Sequence, residues 1–403
     1  MGEMTIHSQL LKSLILIWII LSLMTGCQLF TSTSSKVPAT VPSVQTPAGS
    51  TLQPTRVSET PVVPIRPQLA WFYHPTSSDQ LINLAQSYQF FILTKGDEEQ
   101  RDELITMGLG ESPVLQYLRF DAIQDPGDCI SRPRRNQVAY SPGDFCEISQ
   151  NHPDWFLLDA AGNRFGHNSN GQLYYQMDPG NAGWREFFLS RVKESQADPA
   201  WSGVFLDNVD VSLNRLEDWA NGLQRYPSDE TLRAAVSGFL TFLNEHYFDA
   251  SPKVLFANIV GRRVETDWLV YFPLVDGGMH EGWSIASTDH YEPPKVWEQQ
   301  MEVAEQAQWM GKTIILVTQG RQDNLEQQRF TYASYLLINQ GLAYFRYAGS
   351  NHYNEIWLYP DYELELGQPL GPRYQDGDVW RRDFKHGSVM VNPVTHESEI
   401  TVR

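Results

Sequence analysis

The chain has 403 residues, which is too long for one small module and short for three domains. It carries 30 Lys and Arg against 48 Asp and Glu, a formal net charge of −18, so its body is a poor candidate for binding nucleic acid or an anionic membrane. Three cysteines exclude a disulfide-dense scaffold and a zinc site made of four cysteines.

The first 26 residues are typical of an export signal peptide. Lys12 precedes an apolar run at 14–24, and Thr25-Gly26-Cys27 follows that run directly. The run has about 11 residues, fewer than the roughly 20 that a transmembrane helix needs. Its end resembles the lipobox of bacterial lipoproteins, in which the cysteine is lipidated and becomes the mature N-terminus. The resemblance implies export and a lipid on Cys27 at the outer face of a bacterial membrane; a plain secretory signal and an uncleaved anchor are the alternatives.

The composition changes abruptly after Cys27. Half of residues 28–67 are Ser, Thr or Pro, and Phe30 is the only aromatic residue among them. Such a segment buries too little apolar surface to offset the entropy of ordering it. We therefore expect a disordered tether over 27–67.

Residues 68–350 alternate short apolar runs with amphipathic stretches. The predicted strands are 68–73, 89–94, 113–119, 201–207, 253–258, 274–279, 313–318 and 342–347. The predicted helices are 78–88, 97–107, 181–196, 228–248 with Ser228 as N-cap, 294–310, and 324–339 with Asp323 as N-cap. Eight strands alternating with helices predict an α/β fold, a parallel sheet closed as a (β/α)₈ TIM barrel. A doubly wound open sheet is the alternative, but the turn after the first strand lacks the glycines of a phosphate site.

Two further features complete the predicted organisation. Residues 351–403 hold short alternating strands, at 387–391 and 399–402, and predict a small C-terminal β appendage packed on the barrel. Cys129 and Cys146 lie in one irregular stretch, and export would place them in an oxidising compartment. A disulfide between them would close a loop of about 16 residues and contribute about 3 kcal/mol; two free thiols are the alternative.

Polar and aromatic residues follow the predicted strands, where a barrel places its chemistry. Carboxylates suit acetal chemistry, amides bind hydroxyl groups, and aromatic rings stack on sugar faces. The set therefore predicts a carbohydrate substrate. The candidate substrate-binding residues are Tyr73, Lys95, Tyr117, Asp178, Asn208, Asp210, Asn258, Trp283, Gln319 and Tyr347. Several have a structural alternative: Asp178 as a turn former, Asp210 as a helix cap or a partner of Asp207, and Trp283 as a core residue.

Five segments carry a resemblance to a known family. They are the fourth-strand motif WSGVFLDNVD at 201–210, its companions at 154–163 and 177–181, the DGGMHEGW segment at 276–283, and RDFKHGSVMVNP at 382–393. Together these resemble the hypothetical glycosyl hydrolase 15 group of (β/α)₈ barrels, and more distantly the endo-α-1,4-polygalactosaminidase barrels, over residues 68–395. The resemblance implies a fold and a reaction class, without naming a sugar.

Glycoside hydrolysis needs two carboxyl groups flanking one bond. We predict Asp207, which ends the fourth strand, as the nucleophile of a retaining enzyme. We predict Glu281, which follows the sixth strand beside Trp283, as the general acid/base. This assignment resembles retaining barrel families with a nucleophile after strand four and an acid after strand six. The alternatives are that Asp207 caps a helix, that Glu281 is an exposed turn residue, and that Asp276 is the acid.

Two other function classes remain open. A catalytically silent carbohydrate-binding barrel would use the same residue types, and a short separation of the two carboxyl groups would favour the hydrolase. A metal-dependent deacetylase would need a His and Asp cluster, and the spacing of His74 and His280 does not form one, so we predict no metal and no cofactor. The acidic composition favours a neutral or cationic glycan over a uronic acid polymer. The oligomeric state is left open.

Overall fold

The computed structural model describes residues 67–74, 80–109, 111–217, 222–287 and 290–403. The predicted signal peptide, Cys27 and all of the predicted tether but Pro67 lie outside the described residues. In the described ranges, no helix combines the length and the apolar character needed to cross a membrane.

The strands match the predicted apolar runs and add short hairpins. In chain order they are β1 (Ala70–Phe72), β2 (Phe90–Thr94), β3 (Val114–Arg119), β4 (Ala122–Asp125), β5 (Gly166–Ser169), β6 (Gln172–Gln176), β7 (Gly203–Asp210), β8 (Val254–Val260), β9 (Gly277–Glu281), β10 (Ile285–Ser287), β11 (His290–Tyr291), β12 (Thr313–Gln319), β13 (Ala343–Ala348), β14 (Tyr374–Asp376), β15 (Val379–Phe384), β16 (Gly387–Asn392) and β17 (Glu397–Val402).

The helices lie between the strands. They are α1 (Leu81–Ser87), α2 (Glu98–Thr106), α3 (Asp144–Asn151), α4 (Ala182–Gln196), α5 (Asn214–Glu217), α6 (Asp229–His246), α7 (Pro294–Trp309) and α8 (Leu325–Ile338). Ser228 is the N-cap of α6, as predicted, and its side chain accepts from the Thr231 amide. The prediction of Asp323 as the cap of α8 is wrong. Asn324 occupies that position, and its side-chain oxygen accepts from the Gln327 amide at 3.1 Å.

The predicted barrel is confirmed. Strands β1, β2, β3, β7, β8, β9, β12 and β13 form one parallel sheet in that order. The sheet closes where Leu69, just before β1, pairs with Phe345 of β13. Its interior is filled by alternate residues of successive strands, among them Leu115, Phe205 and Met279, while the opposite faces pack against the helices.

One insertion extends the barrel between β3 and β7. It contains an antiparallel sheet in the order β4-β6-β5, and α4 comes after this sheet in the chain. Cys129 and Cys146 are joined by a disulfide bond in this insertion, with their Cα atoms 5.6 Å apart. The insertion lies beside the end of β3, because the Arg119 amide donates to the carbonyl of Asn136 at 2.7 Å.

The C-terminal strands form a separate four-stranded antiparallel sheet, β14-β15-β16-β17. Arg382 of β15 is buried, and its guanidinium donates to the carbonyls of Leu336 and Asn339 at 2.9 and 2.7 Å. It thereby satisfies free carbonyls at the end of α8. Arg373 adds an ion pair with Glu305 of α7 at 3.1 Å. These contacts fix the sheet to the outer helices, away from the barrel mouth.

Candidate active site

A pocket opens at the carboxyl ends of the barrel strands. Its lining comes from seven strands of the barrel and from the loops after β1 and β13: Phe72, Tyr73, Ile92, Tyr117, Phe205, Asp207, Asn208, Asn258, Met279, Glu281, Val317 and Tyr353. The polar members follow the interior apolar ones by two residues, as Asp207 follows Phe205 and Glu281 follows Met279. Because side chains alternate along a strand, these carboxylates continue the inward rows of their strands to the mouth.

Asn258 joins the two predicted catalytic carboxylates. Its amide nitrogen donates to Oδ1 of Asp207 at 2.9 Å and to Oε2 of Glu281 at 3.2 Å. Because both oxygens bind one nitrogen, they lie at most about 6 Å apart, near the roughly 5–5.5 Å separation of retaining glycosidases. The structure therefore brings Asp207 and Glu281 into one pocket, facing each other.

Asp207 is placed by an irregularity in β7. The pairing of β7 with β8 shifts between Leu206 and Val209, and Asn208 has a φ of 63°. Such a bulge re-aims side chains locally. Tyr117, on the neighbouring strand β3, donates its hydroxyl to Oδ2 of Asp207. The predicted substrate residues Tyr117, Asn208 and Asn258 thus all lie at the Asp207 side of the pocket.

Opposing influences act on the pKa of Asp207. Burial raises this pKa, the hydrogen bond from Tyr117 lowers it, and the charge of Glu281 raises it again, leaving a net increase. Two carboxyl groups this close disfavour double ionisation. Asp207 therefore keeps its proton to higher pH than an isolated aspartic acid would.

Glu281 is held by donors from three other segments. Gln319 and Tyr353 both donate to Oε1, at 3.0 and 2.9 Å, and Gln319 also donates to the Tyr353 hydroxyl at 2.7 Å. Arg263 lies 3.9 Å from Oε2. The Glu281 side chain is 30% exposed, so it keeps access to the pocket opening. Such an arrangement fixes the carboxyl group while leaving one side for a ligand.

Two of these residues were missed by sequence reasoning. Tyr353 lies in the loop after β13, and Arg263 in the loop after β8. Their position after strand ends was the available signal, but the loops give no periodicity that shows which residue turns inward. Tyr73, by contrast, was predicted and lines the pocket with a φ of 67°, its ring close to those of Tyr117 and Tyr353.

Asp210 belongs to a buried ionic cluster beside the pocket. Its carboxylate pairs with Arg215, which also lies 3.0 Å from Asp121. Asp121 in turn accepts from Arg119 at 2.8 Å, and the two arginines hold its pKa well below the usual range although burial opposes them. Asp210 therefore neutralises Arg215 and does not line the pocket, and its contact with substrate stays a prediction.

Four further residues predicted to bind substrate lie away from the pocket lining. Trp283 is fully buried, and Tyr347 is 1% exposed with its hydroxyl donating to the Arg321 carbonyl. Lys95 donates to the Tyr140 hydroxyl at 2.9 Å, on the side of the insertion. Asp178 is buried and pairs with Arg225 and Tyr226. None of the four lines the pocket. Gln319 does not line it either, but it donates hydrogen bonds to Glu281 and Tyr353, which do.

The rival acid Asp276 lies at the other end of the barrel. It precedes β9, and its carboxylate accepts from the amide of Leu255 near the start of β8 at 2.8 Å. His280 is buried and contacts the Arg263 carbonyl, and burial lowers its pKa to about 3. Across the described ranges, no group of three or more His, Cys, Asp or Glu side chains is arranged to hold a metal ion.

The sequence model of a family described as hypothetical glycosyl hydrolase family 15 matches residues 131–388, more than half of the chain. No curated protein sequence matches the chain.

Three similar solved structures share little sequence identity with the chain. The α-galactosidase from Thermus thermophilus is 16% identical, with a TM-score of 0.46 over 82% of this chain and 67% of that enzyme. The maltogenic α-amylase AmyB from Thermotoga neapolitana is 10% identical, with a TM-score of 0.47 over 81% of this chain and 86% of that one. The trehalose-6-phosphate hydrolase from Bacillus licheniformis is 12% identical, with a TM-score of 0.43, and the match covers 69% of this chain and 64% of that enzyme, less than two thirds of its length.

Proposed function

The chain belongs to hypothetical glycosyl hydrolase family 15, and on that premise we propose that it is a retaining glycoside hydrolase acting on an oligo- or polysaccharide. The observation that carries the proposal is the single amide of Asn258 bound to both Asp207 and Glu281. A pair of facing carboxyl groups is what hydrolysis of a glycosidic bond requires.

The spacing of the pair supports retention of configuration. An inverting enzyme keeps its carboxyl groups about 6.5–9.5 Å apart to leave room for a water molecule, and a retaining enzyme keeps them about 5–5.5 Å apart. The oxygens of Asp207 and Glu281 that share the Asn258 nitrogen cannot be more than about 6 Å apart, which favours direct attack by a carboxylate. The same closeness favours an enzyme over a binding barrel, which has no need of paired acids.

We assign the roles as the sequence predicts them. Asp207 accepts hydrogen bonds from Tyr117 and Asn258, which oppose the effect of burial on its pKa and favour the ionised form that attacks the anomeric carbon. Glu281, whose side chain is 30% exposed, donates its proton to the leaving oxygen as the carbon–oxygen bond breaks. In the second step Glu281 takes a proton from water, and the water oxygen displaces Asp207 from the anomeric carbon. Glu281 thereby regains in the second step the proton that it gave to the leaving group in the first, and Asp207 is released as a carboxylate.

The pocket walls suit a sugar ring. Tyr73 and Tyr353 form aromatic walls, and the side-chain amides of Asn258 and Gln319 supply hydrogen-bonding groups beside the carboxyl pair, while Asn208 also lines the pocket. Aromatic faces and amides are the usual partners of pyranose faces and hydroxyl groups. We therefore propose that these residues hold the sugar whose anomeric carbon reacts.

We further propose that the enzyme acts at the outer face of a bacterial membrane. The support is the sequence pattern alone: an apolar run followed by Thr25-Gly26-Cys27, then a segment rich in Ser, Thr and Pro before the folded domain. A lipid on Cys27 would hold the barrel near the membrane while the tether lets it reach glycans.

Asp207→Asn tests the proposed function. Wild type should release reducing ends from at least one member of a panel of glycans, and Asp207→Asn should lose this activity while its thermal unfolding stays unchanged. NMR of the first product should show the anomeric configuration of the substrate. Asp276→Asn is the matched control, because it removes one carboxylate at the opposite end of the barrel. Full activity of Asp207→Asn on a verified substrate would refute the assignment.

A further inference from the structure

Three exposed arginines lie on one short segment of the insertion. Arg132, Arg134 and Arg135 follow Cys129 in the loop between β4 and α3, and all three are exposed. Among the described residues none of the three guanidinium groups forms an ion pair, whereas Arg119 and Arg191 nearby are paired with Asp121 and Asp144. A cluster of unpaired positive charge is unexpected on a chain with a net charge of −18.

This arginine loop, residues 129–137, lies on the same rim as the pocket. The carbonyl of Asn136 accepts from the Arg119 amide. Arg119 lies opposite Asp207 in the backbone register of the neighbouring strands β3 and β7. The side chain of Arg135 lies directly over Gly96, which follows the carboxyl end of β2. The loop therefore borders the ends of β2 and β3, next to the strand that carries Asp207.

The backbone of the arginine loop is fixed from several sides. The Arg134 amide donates to the side-chain oxygen of Gln124 at 2.8 Å, and the Arg134 carbonyl accepts from Gln137 at 3.3 Å. The disulfide between Cys129 and Cys146 ties its start to α3. Arginines carried by a fixed backbone lose less conformational freedom when they bind than arginines on a mobile loop would.

We propose that the arginine loop binds carboxylate groups of an acidic polysaccharide whose chain runs from the pocket across the rim. The planar guanidinium fork matches a carboxylate with two parallel hydrogen bonds, and three such groups on one segment suit a polymer with repeated charges. An anionic membrane is the less favoured ligand, because a membrane lying against this rim would cover the mouth of the pocket. The inference rests on the proposed function for the kind of ligand, and it replaces the expectation of a neutral or cationic glycan that the overall charge suggests.

The test compares binding of two matched polymers to the full chain. Calorimetry would measure sodium polygalacturonate and neutral dextran binding to Asp207→Asn, so that hydrolysis does not interfere. We expect polygalacturonate to bind more tightly than dextran, with an affinity that falls as salt increases. Replacing Arg132, Arg134 and Arg135 by Gln should weaken it about tenfold, because each exposed ion pair contributes only a fraction of a tenfold step. Dextran binding should not change.

A matched control removes the same charge elsewhere. Lys295, Lys385 and Arg403 are exposed on α7 and the C-terminal sheet, and their replacement by Gln should leave polygalacturonate binding unchanged. Equal loss in both triple variants, or no preference for polygalacturonate over dextran, would overturn the proposal. Arginine-dependent binding to phosphatidylglycerol vesicles without binding to polygalacturonate would also overturn it, in favour of a membrane ligand. Arginine-dependent glycan binding by a wild type that hydrolyses no glycan would refute the proposed function and leave this inference standing.

Discussion

The hydroxyl of Tyr117 donates a hydrogen bond to Oδ2 of Asp207 from the neighbouring barrel strand. This bond lowers the pKa of Asp207 against the burial that raises it. The proposed nucleophile therefore depends on a phenol for its charge, and the dependence can be measured.

Tyr117→Phe should raise the pKa of Asp207. The variant loses a donor that stabilises the carboxylate, and a hydrogen bond to a charged group contributes about 1.5–3 kcal/mol. Because attack needs the ionised form, the acid limb of the pH profile of kcat/KM should move to higher pH. Tyr344→Phe, also in the barrel interior, is the control and should leave the limb in place. If the acid limb of Tyr117→Phe stays where it is in wild type, Tyr117 does not control the ionisation of Asp207.

Glu281→Gln should affect substrates according to their leaving group. A glycoside of nitrophenol needs little protonation, so its glycosyl transfer to Asp207 should be nearly unchanged in a single-turnover measurement. A glycoside of a simple alcohol should react about 10²–10⁴-fold more slowly, the usual contribution of a general acid. An equal loss on both substrates would show that Glu281 is not the proton donor.

Removal of the disulfide should destabilise the chain. Cys129 and Cys146 are 17 positions apart, and a loop of this size corresponds to about 3 kcal/mol of stability in the chain-entropy description. Urea unfolding of the double Ser variant should show a lower free energy of unfolding than the oxidised wild type. The reduced wild type should match the variant; identical midpoints for all three would mean that the bond does not contribute to stability.

Arg382→Met should loosen the C-terminal sheet. The buried guanidinium donates to two carbonyls at the end of α8, and leaving them without donors should cost about 3 kcal/mol. Arg381→Met is the control on the next position of β15, where the side chain is 40% exposed and its pair with Asp376 contributes less than about 1 kcal/mol. Chemical denaturation would compare the two, and equal effects would argue against the anchoring role of Arg382.

Cys27→Ala should release the protein from the membrane. If the cysteine carries the lipid, the variant should appear in the soluble exported fraction, while wild type stays with membranes until detergent is added. Fractionation followed by immunoblotting measures both. Retention of the variant with an intact N-terminal segment would show that the apolar run at 14–24 is itself the anchor.

The barrel could be predicted from sequence because each strand is a short apolar run that differs from the amphipathic stretches around it. The sequence did not show which polar residues near the strand ends face the pocket, except where a residue continues the inward row of its strand. Asp207 and Glu281 continue the inward rows of Phe205 and Met279, so the period of two identifies them. Tyr347 belongs to the outward row of Phe345 and packs under the helices.

Turns and loops obey no such period. Gly282, with a φ of 86°, turns the chain after β9, so Trp283 enters the core although it follows Glu281 by only two residues. Tyr353 reaches the pocket from a loop whose course depends on its packing against the whole rim. Tertiary contacts, which a single sequence does not display, decide these positions.

The seam of the barrel has a mechanical consequence. β1 has only three residues, and across the seam Leu69 forms a single bridge with Phe345, supported by a hydrogen bond from the Phe345 amide to the carbonyl of Gln68. Tension applied to the chain before residue 67 would act on this strand first. Under load the barrel would therefore open at the seam between β1 and β13, and Tyr73, at the end of β1, would leave the pocket before Asp207 and Glu281 separate. A pull from the N-terminal side would reduce sugar binding before it unfolded the carboxylate pair.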